Sequence, residues 1–211
     1  MPTVAIMTKL QRTVRISAAC LAALALLSAC SSGTSPSSAP APGAGGAQNP
    51  NAIETNPAGD IPDTQAFVAY TPPDRTYTVQ VPSGWARTGS RTAVTFTDKY
   101  NSIRVETIPR PSAPTVSSAQ TGTVPAIQSS AQGYKPGTVS TVARTAGQAV
   151  LITYEALSAP NPVTGKVAVE AVERYEFWKG GTLAVLTLSA PAGSDNVDPW
   201  RKVTDSFGWH G

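Results

Sequence analysis

The chain has 211 residues, 41% hydrophobic and only 14% charged, with 16 Lys and Arg, 13 Asp and Glu and a single histidine. Three of the cations, Lys9, Arg12 and Arg15, stand near the N-terminus, and sixteen less three leaves thirteen basic against thirteen acidic residues. Without those three the chain has no electrostatic basis for holding nucleic acid or an anionic bilayer surface. With two cysteines and one histidine, and with no Gly-x-Ser-x-Gly elbow or phosphate-cradling glycine loop, the classical zinc, hydrolase and nucleotide-binding readings have no support either.

The N-terminus has the layout of a signal peptide. The basic residues precede an apolar run over residues 16–27, and small residues follow. A spanning helix needs about 20 apolar residues, and Ser31-Ser32-Gly33 ends this run sooner. At its end, Leu27-Ser28-Ala29-Cys30 resembles the lipobox of bacterial lipoproteins. The resemblance implies a diacylglyceryl group on the Cys30 thiol, cleavage before Cys30, and loss of Cys20 with the leader. A mature chain of that kind has neither a disulfide nor a cysteine nucleophile. Its membrane affinity comes from acyl chains at about 0.8 kcal/mol per buried methylene, so one chain alone is marginal and the two or three implied by the resemblance are stable.

Three segments are expected: a signal peptide over 1–29, the lipidated Cys30 with a linker to residue 60, and a domain over 61–211. The linker is Ser, Pro, Ala, Gly and Asn with almost no large apolar side chain, as in Ser35-Pro36-Ser37-Ser38-Ala39-Pro40. It cannot bury enough surface to offset its ordering entropy and is expected to be a disordered tether, spanning roughly 30 Å as a Gly-rich coil.

The domain reads as strand-dominated. Alternation predicts strands around Tyr77, Val79 and Val81, around Val94 and Phe96, and around Ile103, Val105 and Thr107. Residues 115–132 carry a helical stripe weakened by Gly122 and Pro125, so a broken or short helix is expected. Strands follow at 138–143 and 148–157, the second apolar on both faces and therefore central. After a turn over 161–165, a long strand over 166–178 and its partner over 182–190 flank Gly180-Gly181. A two-residue turn there makes Phe177 face Ala184, Tyr175 face Leu186 and Glu173 face Leu188. Glu170, Arg174 and Glu176 take the opposite face and are expected to be solvated. The last element is a helix in which Asp198 caps, Pro199 starts, Gly208 stops, and Trp200, Val203 and Phe207 form the packing stripe.

Together these elements describe an α+β domain, a central antiparallel sheet flanked by helices. Tyr77-Thr78-Val79-Gln80-Val81-Pro82-Ser83-Gly84-Trp85, the broken helical middle, the long hairpin and the closing Asp205-Ser206-Phe207 resemble the PsbP-like domain. With the lipobox and tether, the chain is similar in particular to the LpqN-type lipoproteins of actinobacteria. The resemblance implies a non-catalytic role in binding or assembly, with no catalytic residue and no ligand to transfer.

Side chains with chemical capacity are few. His210, next to the end, reads as a solvated tail rather than a triad base. Asp195 and Asp198 suit helix capping better than calcium, and neither a metal nor a cofactor is expected. Trp85 and Trp200 are expected in the core and Trp178 exposed beside the turn, which makes it a candidate contact residue. Glu173, in phase with an apolar face, is the second candidate, as a ligand contact or an acid; a β-bulge, an arginine partner or a place at the sheet rim would make it structural.

The function expected from these readings is a lipid-anchored, extracytoplasmic, non-enzymatic binding or scaffolding domain of the cell envelope, attached to membrane lipid through acylated Cys30. Its further partner would be an envelope protein or an apolar ligand. The alternatives are a carrier of an apolar envelope molecule in a cavity between sheet and helix, and a carboxylate-dependent cell-wall enzyme. The anchor has a direct test: Cys30→Ser should abolish partition of the chain into a detergent phase, and an unchanged membrane fraction in that variant refutes it.

Overall fold

Short links between alternating segments make antiparallel neighbours, and the computed structural model, which describes residues 59–90, 92–161 and 163–211, shows ten strands, all paired antiparallel. The expected signal peptide, lipobox and tether, up to residue 58, lie outside the described residues. In chain order the elements are β1 (Phe67–Tyr70), β2 (Tyr77–Pro82), β3 (Ala86–Gly89), β4 (Ala93–Asp98) and β5 (Asn101–Pro109). Then come α1 (Val116–Ser118), a π-helical turn (Ala119–Thr123), α2 (Val124–Ser130), β6 (Lys135–Arg144) and β7 (Gly147–Leu157). The chain closes with β8 (Val169–Lys179), β9 (Thr182–Pro191), α3 (Val197–Ser206) and β10 (Gly208–Trp209). A seven-stranded antiparallel sheet runs β3-β4-β5-β9-β8-β7-β6, and β1-β2-β10 form a small sheet. The architecture is α+β, a central antiparallel sheet flanked by helices.

The β8–β9 hairpin sets the register of the large sheet. Gly180 and Gly181 have φ of 55° and 89°, the left-handed pair that a two-residue turn with matching twist demands. Phe177 therefore faces Ala184, Tyr175 faces Leu186 and Glu173 faces Leu188. On that face Phe177, Leu186, Leu188, Ile103 and Val105 meet Tyr77 and Val79 of β2 and Trp200, Val203 and Phe207 from α3 and its end, forming the main core. On the opposite face a smaller cluster joins Ala119 to Val150 and Ile152, with Val124 and Ile127 packed against it. β7 thus has both faces covered, although it sits one strand in from the edge rather than at the centre.

The helical middle is broken as its sequence implies. Thr115 Oγ1 accepts from the Ser118 amide at 3.0 Å while Ser118 Oγ accepts from the Thr115 amide at 2.9 Å, which closes a capping box. Gly122 lies within the π-helical turn, and Pro125 falls in the first turn of α2.

Other expectations are corrected. β1, β3 and β10 carry no readable alternation; β3 is exposed throughout, and β10 is only two residues long. β8 begins at Val169 rather than 166, because Asn161 Oδ1 accepts from the amides of Val163 and Thr164 at 3.0 and 2.9 Å and holds the chain in a loop. α3 has Asn196, not Asp198, in its cap position. The Asn196 side chain does not cap: its Oδ1 accepts from the Ile61 amide at 2.7 Å and its Nδ2 donates to the Gly59 carbonyl at 2.9 Å. Asp198 instead places its charge in the first turn, where the helix dipole favours an anion. Gly208 opens β10 rather than ending a helix, and the His210 amide donates to the Thr76 carbonyl at 3.0 Å, so the tail is tied to β2. The two tryptophans expected in the core do pack there: Trp200, 7% exposed, belongs to the main core and the half-buried Trp85 packs against it.

Phe207 is 1% exposed, with its ring centroid 4.9 Å from that of Phe177 and 5.5 Å from that of Tyr77. Replacing it with alanine deletes a ring between sheet and helix, a change that typically costs about 3–5 kcal/mol. Phe207→Ala should lower the urea midpoint accordingly, and a midpoint within error of the parent would show that the ring is not a core element.

Candidate functional site

β8 carries both residues nominated by the sequence, and its alternation separates them. Glu173, Tyr175 and Phe177 point to the main core, whereas Arg174, Glu176 and Trp178 point to the other face of the sheet. Glu173 and Trp178 therefore do not form one site.

Glu173 belongs to a bridging network. The Tyr175 hydroxyl donates to its Oε2 at 2.6 Å, and Arg144 Nη2 donates to that hydroxyl at 3.1 Å. The Arg144 guanidinium lies 5.2 Å from the centre of the Tyr175 ring and donates through Nε to Thr204 Oγ1 at 2.9 Å. β6, β8 and α3 are thereby connected by polar contacts at the edge of the core. A groove of about 430 Å³ is lined by Glu173, Glu155, Lys135 and Trp200. It brings a second acid near Glu173, but Glu155 is held by Lys135 Nζ at 2.9 Å. Each acid thus has its own partner, an arrangement unlike the facing pair that glycoside hydrolysis requires.

The other face holds what the sequence reading missed. Glu176, expected in solvent, is 1% exposed. Two Arg-x-Glu patterns, Arg104-Val105-Glu106 on β5 and Arg174-Tyr175-Glu176 on β8, place a cation and an anion on the same side of each strand. With β9 between them, Arg104, Thr187 and Arg174 make one cross-strand row, and Glu106, Val185 and Glu176 make the next. The charges interlock: Arg104 Nη2 to Glu106 Oε2 at 2.8 Å, Arg174 Nη1 to Glu106 Oε1 at 3.9 Å, and Arg174 Nε to Glu176 Oε1 at 3.1 Å. Arg110, just past β5, brings Nη1 within 3.7 Å of Glu176 Oε2. That approach is an ion pair without a hydrogen bond, and among the described residues nothing donates to Oε2. The signal for this ladder was present in the repeated Arg-x-Glu pattern. Its burial depended on which strand came between the two copies.

Trp178 is half-buried rather than exposed. Its indole Nε1 donates to the Arg110 carbonyl at 2.8 Å, which fixes the ring beside Glu176. Between this part of the sheet and the chain entering α1 lies a cleft of about 280 Å³, lined by Glu176, Trp178, Gln148, Thr141, Val150 and Thr115 among others. Further along the same face Glu170 is half-buried; burial raises its carboxyl above the ordinary range, and a hydrogen bond with Ser189 opposes the shift. Of the three residues expected in solvent, Glu170 and Arg174 are therefore half-buried and Glu176 is buried. No group of three or more His, Cys, Asp and Glu stands together among the described residues.

No family model matches the chain, and no curated protein matches it. Solved structures do show likeness. The cyanobacterial PsbP (CyanoP) of Synechocystis sp. PCC 6803 aligns at 16% identity and a TM-score of 0.48, over 72% of this chain and 98% of that one. LpqN of Mycobacterium tuberculosis, described as involved in cell envelope biogenesis, aligns at 14% identity and 0.40, over 71% and 93%. A protein of Bacteroides thetaiotaomicron VPI-5482 aligns at 10% identity and 0.43, over 68% of this chain; the chain spans only 48% of that protein's length. The α+β architecture stands on the strand order itself.

The Tyr175 hydroxyl yields a pH prediction. Burial first, and then the Glu173 carboxylate, push its pKa from 10.0 up to about 12, with Arg144 opposing. The folded state holds the phenol proton more tightly than the unfolded chain. This contribution to stability is therefore whole below pH 10 and is lost as the pH rises toward 12. Tyr175→Phe should flatten the alkaline fall of the urea midpoint across that window, and an unchanged slope would contradict the assignment.

Proposed function

We propose that the chain is a lipid-anchored protein of the extracytoplasmic face of the cell membrane, and that residues 61–211 form a non-catalytic binding domain whose contact site is the cleft beside Glu176 and Trp178. One observation carries the binding reading: Glu176, which lines the cleft, holds a buried carboxylate oxygen without a hydrogen-bond donor. Desolvating such a group is costly unless a donor completes it. A partner that supplies the donor would recover that cost. Support for the location comes from Leu27-Ser28-Ala29-Cys30 and the charge balance behind it, which leaves acylation as the means of attachment. No described helix is long and apolar enough to cross a membrane.

The carrier alternative needs open apolar space between sheet and helix. Phe177, Phe207, Leu186 and Val203, each 0–1% exposed, occupy that layer. The enzyme alternative needs two acids free to face a substrate, whereas Glu106 and Glu176 share Arg174, and Glu155 and Glu173 have separate partners.

Mass spectrometry of the N-terminal peptide from the native host, combined with protease treatment of intact spheroplasts, tests the anchoring half. The expected result is a peptide beginning at acylated Cys30 and a domain digested from outside. An unmodified thiol at Cys30, or protection from the protease, would overturn the location.

A further inference from the structure

We propose that the Glu176 cleft takes a neutral, polyhydroxylated ring, a sugar residue either free or within a polysaccharide; this rests on the cleft being the binding site proposed above. Glu176 Oε2 is a fully buried acceptor with the partly exposed Arg110 guanidinium 3.7 Å away, so a ligand reaches it by shifting that side chain and must present a hydroxyl or N–H. A cation is a poor occupant. Arg174 and Arg110 already flank Glu176 at 3.1 and 3.7 Å, and the ladder holds three guanidiniums, those of Arg104, Arg110 and Arg174, against two carboxylates, those of Glu106 and Glu176. Another positive charge would meet repulsion at close range in a shielded place. An anion would have to sit against the Glu176 carboxylate. A neutral hydroxyl satisfies Oε2 without either cost, and the same hydroxyl oxygen can accept from Arg110.

The walls suit the same chemistry. The Trp178 N–H is consumed by the Arg110 carbonyl at 2.8 Å, so the indole offers the cleft its apolar ring surface, the surface on which the C–H face of a sugar packs. At the rim stand the Thr141 hydroxyl and the Gln148 amide, both exposed and each able to donate and accept. Size narrows the choice further. About 280 Å³ is the room of about nine waters at ~30 Å³ each and lies just below the ~300 Å³ at which drug-sized pockets begin, which favours one ring over a long apolar chain.

The full chain in detergent micelles, labelled with 15N at its four tryptophan indoles, provides the test. The Trp178 signal is assigned by Trp178→Phe, and the probes are a panel of neutral pentoses, hexoses and N-acetylhexosamines, butylammonium, and acetate. The expected result is a saturable shift of the Trp178 signal with a neutral sugar, weakened about tenfold in Glu176→Gln by loss of a hydrogen bond to a charged group. Gln148→Leu, at an exposed rim position that leaves the ladder intact, should also weaken it and guards against Glu176→Gln failing to fold. Tighter binding of an oligosaccharide than of its monomer supports the polymer source, and equal binding supports the free sugar. A shift with butylammonium or acetate alone overturns the sugar while leaving the cleft as a site. A Trp178 signal unmoved by every probe sinks both, and a sugar response indifferent to both variants places binding elsewhere and overturns the proposal.

Discussion

The pairing of β8 with β9 across Gly180-Gly181 is the constraint on which the rest of the structure depends. Strand side chains alternate with a period of two, so a slip of one residue would exchange the two faces of β8. In the observed register Tyr175 and Phe177 enter the main core, and Arg174, Glu176 and Trp178 stand on the other side. Both candidate regions of the domain, the Glu173 network and the Glu176 cleft, inherit their positions from that choice. A left-handed conformation at both turn residues is what glycine allows without steric cost, so the register is set locally and cheaply.

The two faces use charge differently. Around Glu173 the polar atoms are matched: carboxylate, phenol, guanidinium and the Thr204 hydroxyl form one chain of contacts joining sheet to helix. Around Glu176 the account is incomplete, because one carboxylate oxygen has cations nearby and no donor. A buried ion pair gains little net stability after desolvation, and leaving an acceptor unmatched worsens the balance. Stability alone would favour an apolar residue beside Val185, which is 0% exposed. The buried acid is the feature on which the proposed binding site rests, with Arg174 and Arg110 as its partners within the domain.

Much of the fold was legible in the residues because alternation, turn glycines and helix stripes are local signals. The register of Glu173, Tyr175 and Phe177 and the packing stripe of α3 both follow from spacing alone. Elements that lack such signals escaped: β3 is exposed throughout, β10 has two residues, and both exist because a neighbouring strand offers an unpaired edge. The site was only half legible. Trp178 was reached by its phase, but its indole bond to the Arg110 carbonyl joins positions 68 residues apart, and nothing local announces it.

By itself the sequence determined the strand periods, the hairpin turn, the broken helix and the closing amphipathic helix, since each is a property of neighbours along the chain. It is also the sole source of the acyl-anchor proposal, because Leu27, Ser28, Ala29 and Cys30 lie outside the described residues. Tertiary structure alone decided that Glu176 is buried. Charge and phase assigned it to solvent, whereas the strand order β5-β9-β8 sets Glu106 and Glu176 on either side of Val185, with Arg174 bridging them and Arg110 beside Glu176. Burial is a property of what lies across a strand, and although the hairpin places Val185 of β9 beside Glu176, the other covering residues, Val150 of β7 and Arg110 after β5, come from strands whose places in the sheet no local pattern specifies.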